Sequence, residues 1–487
     1  MTDIMDDKPK IVDKVFKLND NQTSARTEIV AGLTSFMAMS YIVALNPNII
    51  TTYKLGGPQL WNGVFLATCI SATIASFVMG LLANKLFCLA PGMGLNSFMA
   101  TVILSLINMT TMNYVQCFQS MLCIILFEGI IFLILSILNI REKIVDAIPI
   151  GIRLGISPGI GLMLLNIGFG SNVYIADNNN TQFFVMRDFF GSLTAKHARD
   201  TMTSAYPTMV LSVLTMFLGL FVIVVLAQKN IKASVIIGMI VASLFNWAYN
   251  YIFLGNNPFA ALSDPNVRFL PAFGDMWDTT LFKFNFKGLA EIGWFTTITL
   301  ILTYCIIDMF DTIGTLVGTA NRAGMVDEEG KMPNMKEAFI ADSVGTIVGS
   351  CTGTSTVTTF IESASGVEAG GRTGLTAVTC GFCFLVCIFL APIVSVIPAA
   401  ATSSALIYVG ILMMSGLTKV NFDDISVSVP VTIMLIAMPV SGSIGHGIGL
   451  AMISCTVIKL FTGRYKEISI LTYVISIIFI IKFFLAY

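Results

Sequence analysis

Residues 354–375 read TSTVTTFIESASGVEAGGRTGL. Two carboxylates (Glu362 and Glu368), Arg372, several glycines and a run of hydroxyls stand here, in a chain whose other long segments are almost uninterrupted hydrocarbon. A charged side chain at the centre of a bilayer helix costs roughly 2.5–3.5 kcal/mol on insertion scales, so a Glu at that depth marks a functional site by default. TSTVTTF is β-branched and strand-like, whereas IESASGVEAGG is small and compatible with a helix. The segment is expected to cross as a short strand leading into a half-helix, with Glu362 beside the site it forms.

The surrounding composition sets the medium. The chain has 487 residues, of which 55% are hydrophobic and 11% charged, and its mean hydropathy is +0.84. These values describe a polytopic membrane protein, all-α in class apart from its broken spans. A net charge of −1 offers no basic field for nucleic acid. The first 27 residues are polar, and no small-residue cleavage site flanks the apolar run from Ile29, so the amino terminus is expected to stay cytoplasmic. Ten cysteines lie mostly in apolar runs without the spacing of a disulfide framework, and the Cys380–Cys383 pair lacks the polar company that redox or metal chemistry needs. The two histidines, His197 and His446, cannot build a metal site. No cofactor or metal is expected.

Apolar runs long enough to cross about 30 Å of hydrocarbon lie near 29–50, 60–83, 87–111, 116–138, 144–169, 206–227, 233–254, 289–319, 337–352, 374–398, 402–417, 444–462 and 468–486. The polar segment 354–366 adds a crossing, and 425–441 reads as a re-entrant or tilted half-helix. AIPIGIRLGISPGIGLMLLN (147–166) matches VIPAAATSSALIYVGILMMS (396–415), pairing Pro149 with Pro398, and LAQKNIKAS (226–234) parallels FTGRYKEIS (461–469). Two halves on one plan, each of seven crossings, would insert in opposite senses and give fourteen spans. The long loops 170–205 and 255–287 then fall outside. Lys85, Arg141, Lys143, Lys229, Lys232, Arg322, Lys331, Lys336 and Arg372 fall on the cytoplasmic side, as short-loop charge requires, whereas Arg464 and Lys466 do not.

The third span, FCLAPGMGLNSFMATVILSL (87–106), is interrupted by Pro-Gly-Met-Gly. Irregular backbone at membrane depth is tolerated where it is buried in protein or lines a cavity, and Asn96 adds an amide able to read a polar ligand. This element is the expected counterpart of 354–375, so that two helix amino termini aim at one midplane site. In the eighth span, TYCIIDMFDTIGTLVG (303–318), Asp308 and Asp311 share a helix face beside Thr312 and Thr315, and Gly314 and Gly318 permit close packing. Three unpaired carboxylates at mid-depth would cost roughly 8–10 kcal/mol. Burial favours a carboxyl group's neutral form, so protonation is the cheapest remedy. A carboxylate alternating between protonated and ligand-bound couples transport to protons. Glu128 and Asp342 read as structural or interfacial, Glu368 and Arg372 as a possible ion pair near the cytoplasmic mouth, and Phe36, Phe98 and Phe360 as candidate stacking partners for a flat ligand.

Four segments, ARTEIVAGLTSFMAMSYIVALNP (25–47), LAPGMGLNSF (89–98), DMFDTIGTLVG (308–318) and TSTVTTFIESASGVEAGGRTGLTAV (354–378), resemble the azaguanine-like branch of the second nucleobase-cation symporter family, which has the nucleobase-ascorbate transporter fold. The resemblance covers nearly the whole chain. It implies fourteen spans in two inverted seven-span repeats with short strands in broken spans 3 and 10, and core and gate domains. The expected boundaries are a cytoplasmic tail (1–27), core (28–140), gate (141–287), core (288–396) and gate (397–487). It also implies a homodimer in the cytoplasmic membrane, proton symport and a purine nucleobase as substrate. Asp311, Glu362 and Asn96 would be essential and Asp308 modulating, with Phe360 and Phe98 beside the substrate. Ser97, Met99 and Glu368 depart from the family pattern and bear on substrate preference. An ionised Glu362 pairs naturally with the N1–H of a 6-oxopurine, which favours hypoxanthine and guanine over adenine. Three rivals stand: an anion permease on the same fold, which the three carboxylates oppose; a channel; and a membrane-embedded aspartyl protease, whose two acids normally come from two helices rather than one.

Overall fold

A computed structural model describes residues 11–52, 55–138, 149–176, 182–184, 206–231, 233–259, 271–322, 325, 332–441 and 444–485. Arg141, Lys143, His197, Lys232 and Lys331 lie outside these residues, and the surroundings of Gly314, Gly318 and Arg322 are not described.

In hydrocarbon the backbone must satisfy its own hydrogen bonds, and the apolar runs do so as helices. A short α1 (Ile11–Phe16) precedes α2 (Ala25–Met39), whose N-cap Ser24 accepts from the Thr27 N–H. α3 (Ile42–Ile50) follows after a break at Ser40–Tyr41, and α4 (Pro58–Val78) opens with proline in its first turn. The strand β1 (Leu89–Pro91) leads into α5 (Met93–Met109), and α6 (Tyr114–Ile137) starts with an Asn113–Gln116 capping box. Then come α7 (Ile150–Val173), the hairpin β2 (Tyr174–Ala176) and β3 (Gln182–Phe184), α8 (Tyr206–Gln228), α9 (Ser234–Phe253), α10 (Phe273–Thr279) and α11 (Phe286–Ile292). α12 (Trp294–Arg322) and α13 (Met335–Thr352) lead to β4 (Val357–Thr359), α14 (Ser363–Glu368) and α15 (Gly374–Cys387). The chain closes with α16 (Ala391–Ser395), α17 (Ala399–Met413), α18 (Ile425–Ser441), α19 (Ile444–Phe461) and α20 (Ile470–Leu485). Among the described residues nine helices are long and apolar enough to cross a membrane, and the pair α11–α12, bent by 107°, would make ten.

Both segments expected to be broken are broken. β1 and β4 pair antiparallel, Leu89 with Thr359, Ala90 with Thr358 and Pro91 with Val357. The Gly92 N–H donates to Thr356 O and the Phe360 N–H to Cys88 O, each at 3.0 Å, extending the ladder at both ends. The ribbon is buried along its length, which is the condition for non-helical backbone at this depth.

The helices pack as two sets. In one, α2 and α4 pack on α15, α13 packs on α4 and α6, and α6 packs on α12. In the other, α7 packs on α17 and α18, α8 on α9 and α17, and α18 on α19. α7 and α17 cross at glycines: a Cβ at Gly161 would lie 2.7 Å from Gly410 O, and one at Gly410 would lie 2.8 Å from Gly161 O. The backbones touch there because neither residue has a side chain.

The turn after α19 departs from expectation. α18 runs alongside α7, Val427 at Gly151 and Met438 at Gly159, and α19 returns antiparallel to it, with Gly447 against Met438. Arg464 donates to Asp424 at 2.9 Å and to Glu467 at 2.8 Å, and a cavity of 310 Å³ is lined jointly by Pro149, Arg153, Ser426, Lys459, Glu467 and Ser469. Arg464 and Lys466 therefore share an end of the molecule with Pro149 instead of lying opposite it. The sequence reading placed them on the other side because it did not treat α18 and α19 as a hairpin whose second arm undoes the first.

Candidate functional site

The run of hydroxyls at 354–358 fixes β4 in place. Thr354 Oγ1 accepts from Asn46 Nδ2 of α3 at 2.8 Å, Ser355 Oγ donates to Asn96 Oδ1 of α5, and Thr356 Oγ1 donates to Glu128 Oε2 of α6 at 2.7 Å. Thr358 Oγ1 lies 2.8 Å from Thr312 Oγ1 of α12. Four helices thus hold one short strand, and its position sets that of Glu362 three residues further on.

Glu362 is the N-cap residue of α14, but its side chain does not cap that helix. Its Oε1 instead accepts from the Tyr41 hydroxyl at 2.5 Å, across the break between α2 and α3. Both residues line a 60 Å³ cavity with Gly92, Asp311, Thr358 and Phe360; Ser157 of α7 and Val409 and Met413 of α17 close it from the other set of helices. Gly92 has no room to be anything else, since a Cβ there would lie 2.6 Å from Thr358 Cγ2 and 3.7 Å from Asp311 Oδ2. α5 begins at this point, so its unpaired first-turn N–H groups and partial positive charge face the same space as Asp311. A second cavity of 680 Å³ begins at Ile361, Glu362 and Val409 and is walled by Asn230, Ser234, Tyr408 and Glu368. Among the described residues, neither cavity has a Lys, Arg or His in its lining. The arrangement can take a neutral, flat ligand with N–H donors for Glu362 and with acceptors for N–H groups.

The Permease family model (Xan_ur_permease) matches residues 26–449. The chain belongs to this permease family. The permease is 37% identical over 474 residues to "Adenine permease AdeP" of Escherichia coli, covering 97% of this chain and 96% of that protein. It is 34% identical over 482 residues to "Guanine/hypoxanthine permease PbuO" of Bacillus subtilis, covering 97% and 100%. Among solved structures its fold is similar to the transmembrane domain of a cyanobacterium bicarbonate transporter, BicA, with a TM-score of 0.56 and 13% identity over 87% of this chain and 96% of that one. The permease is a multi-pass protein of the cell membrane and a transporter rather than an enzyme, so the protease reading falls away.

Of the residues expected at the site, Glu362, Asp311 and Phe360 meet at the small cavity of the permease. Asp308 lies buried behind it, where Thr312 Oγ1 donates to its Oδ1 at 3.2 Å. Asn96 is outside the cavity lining, its Nδ2 donating to Pro91 O at 3.2 Å while its Oδ1 holds Ser355. Phe98 packs on Tyr304, ring centroids 5.0 Å apart, and Phe36 on Phe384 at 5.2 Å. Thr315, named beside the two acids of its helix, lines the cavity, as do Tyr41 and Ser157, which were not singled out. A hydroxyl inside the apolar run 29–50 was the available signal for Tyr41. Glu28 was also missed: it accepts from the Arg372 and Thr373 N–H groups at 2.8 and 3.2 Å and from Thr376 Oγ1 at 2.6 Å, capping α15. The Arg372 guanidinium donates to Val367 O and Gly371 O, closing the same turn. Among the described residues the cysteines are free and no group of His, Cys, Asp and Glu is arranged to hold a metal ion.

Proposed function

We propose that the permease carries neutral purine nucleobases into the cell together with protons, by alternating access. The observation that carries this is the pair of carboxylates, Glu362 and Asp311, on one wall of a cavity whose described lining residues include no cationic side chain, beside a helix amino terminus. Glu362 accepts N–H bonds from the base, the α5 terminus donates to its acceptors, and Asp311 carries or relays the proton. Asn96, rather than touching the base, holds Ser355 and so the strand that positions Glu362. Relatives named for adenine and for guanine and hypoxanthine support both kinds of purine as candidates. The N1–H argument at Glu362 favours the 6-oxopurines. The fold likeness to a bicarbonate transporter suggests an anion instead, but two acids and no base among the described lining residues are the wrong electrostatics for one.

The packing supports fourteen spans in two inverted repeats. α7 with α18 mirrors α17 with α8, and α13 with α6 mirrors α15 with α4. On this reading α18 and α19 are the last two repeat spans and α20 is an addition. α2–α6 with α12–α15 form the core, and α7–α9 with α17–α19 form the gate that dimerises. The 680 Å³ cavity opens beside the α8–α9 turn and Glu368, the side that short-loop charge assigns to the cytoplasm, so the conformation is inward-facing.

Labelled hypoxanthine, guanine, adenine, xanthine and uracil are offered to permease-deficient cells, with and without a protonophore. Purine uptake that collapses with the protonophore is expected, and Glu362→Gln should abolish it. Uptake of sulfate or bicarbonate in place of purine would overturn the reading.

A further inference from the structure

α20 stands outside the two repeats, and its two sides differ. Thr472, Ile475, Ser476 and Phe479, spaced as one side of a helix, are buried, whereas Ile470, Val474, Ile477 and Ile481 on the other side are exposed, as a lipid-facing stripe would be. The buried side is keyed to α19. Ser476 Oγ donates to Met452 O at 3.2 Å and lies 2.8 Å from Thr456 Oγ1. Phe479 fills the notch at Gly449, where a Cβ would meet its Cδ1 at 2.6 Å, and the rings of Phe483 and His446 lie 5.5 Å apart. The contacts run from Thr456 back to His446 as α20 runs forward from Ser476 to Phe483, which makes α19 and α20 an antiparallel hairpin. Hydroxyl pairs and a glycine notch give two helices in hydrocarbon a fixed register.

The edge of α20 toward the core is built differently. Ile475, Ile478 and Phe479 face Thr299, Leu302, Thr303 and Ile306 of α12 across a 60 Å³ cavity. Thr299 Oγ1 donates to Thr296 O at 2.9 Å and Thr303 Oγ1 to Thr299 O at 2.7 Å, so both hydroxyls are turned to the backbone of α12 itself. A seam of side-chain hydrocarbon with a void in it is held mainly by dispersion, whose sum changes little when one apolar surface moves along another. The two edges also belong to different sets of helices. α19 packs on α18 and α18 on α7, whose Ser157 closes the small cavity, whereas α12 carries Asp311 into that cavity. Any movement of one set past the other is therefore felt between α12 and α20.

We propose that α20 is a guide for the moving core: it stays keyed to α19, and α12 slides along its Ile475, Ile478 and Phe479 edge whenever the permease changes its facing. This rests on the alternating-access reading above and adds a surface on which the movement takes place. Ile306 lies on the same helix as Asp308 and Asp311, so the step that α12 takes along α20 is also the step that carries the acids. The seam sets how fast the permease turns over, and the cavity at Glu362 sets what it binds.

The test uses the full chain in proteoliposomes, with hypoxanthine and adenine as probes of counterflow, the uphill exchange that a carrier performs and a channel does not. Leu302→Cys is combined with Ile478→Cys, two positions partly open to lipid, and the pair is joined by a short, cleavable, membrane-permeant bis-thiol reagent. Thr456→Cys with Ser476→Cys, joined in the same way, links α20 to α19. The α12–α20 link is expected to stop counterflow while equilibrium binding of the base persists, and its cleavage to restore the rate. The α19–α20 link is expected to leave counterflow running. Wild-type protein without counterflow of either base would overturn the alternating-access reading and this inference with it. Wild-type counterflow beside an α12–α20-linked protein that works equally well would overturn this inference alone, as would loss of counterflow in the α19–α20-linked protein or loss of binding in the α12–α20-linked one. Should the first pair not link, Ile478→Trp decides by overfilling the seam. A maximal counterflow rate lowered by about 5- to 100-fold at wild-type KM supports the guide, and any other result sinks it.

Discussion

Glu362 stands where a helix begins, yet its carboxylate turns away from that helix to a tyrosine hydroxyl 2.5 Å off. A hydrogen bond to a charged group contributes about 1.5–3 kcal/mol, so Tyr41 is an orienting residue rather than a spectator. Tyr41→Phe is expected to raise the KM for the transported base by about 10- to 100-fold with the maximal rate little changed; initial-rate uptake over a concentration series measures it, and an unaltered KM would remove Tyr41 from the site. Gly92→Ala should be harsher, because its methyl group would meet Thr358 Cγ2 at 2.6 Å and part the two strands at the cavity wall. The variant is expected in the membrane at normal abundance but with uptake at background. Glu362, Asp311 and Phe360, which line the small cavity, were legible as candidates because a charge in hydrocarbon, or a ring beside it, stands out in a sequence. Tyr41 was not, since a tyrosine is an ordinary member of an apolar run until its hydroxyl has a partner.

At the scale of elements, the strand 357–359 and the break at Pro91–Gly92 could be read from β-branching and from Pro-Gly, but what holds them could not. Asn46, Asn96 and Glu128 each take one hydroxyl of 354–356, contacts between residues far apart in sequence that no local pattern announces. Glu28 does comparable work for α15, where three donors converge on a fully buried carboxylate. Glu28→Ala is expected to destabilise by about 1–3 kcal/mol, seen as a lower thermal midpoint in detergent with KM unchanged. The latch at the end of α19 has its own pH signature. Hydrogen bonds from Ser426, then from the Arg464 guanidinium, hold the Asp424 carboxyl low, at about 2. Because this lies below the ordinary aspartate value of about 3.9, the latch stabilises at neutral pH and fades as pH falls from about 4 toward 2. Thermal midpoints across that range should decline less steeply in Asp424→Asn than in the wild type.

For the whole molecule, the helices that follow Pro149 and Pro398, α7 and α17, pack on one another, while the side on which Arg464 and Lys466 lie was not legible in the sequence. Sidedness was counted span by span, and treating α18 as a half-helix shifted every later turn. In three dimensions the 464–467 turn sits beside Asp424 and the start of α7. A single cysteine at Lys466→Cys is therefore expected to react with a membrane-impermeant thiol reagent from the cytoplasmic face only. Of the described native cysteines only Cys351 and Cys383 are not buried, which keeps the background low. Labelling from outside would restore the original topology.

The β1–β4 ribbon also constrains how the protein is made. β1 is synthesised long before β4, yet its ladder partners are β4 residues alone. Until the ribosome has passed Phe360, the Cys88 carbonyl and the Gly92 N–H have neither strand nor water to bond in a hydrocarbon medium. The first half must therefore wait beside the insertion machinery, or in a wetter and shallower position, for the second. A chain stopped after α12 would be a natural target for membrane quality control, and maturation of this permease is a single late event rather than a sequence of finished parts.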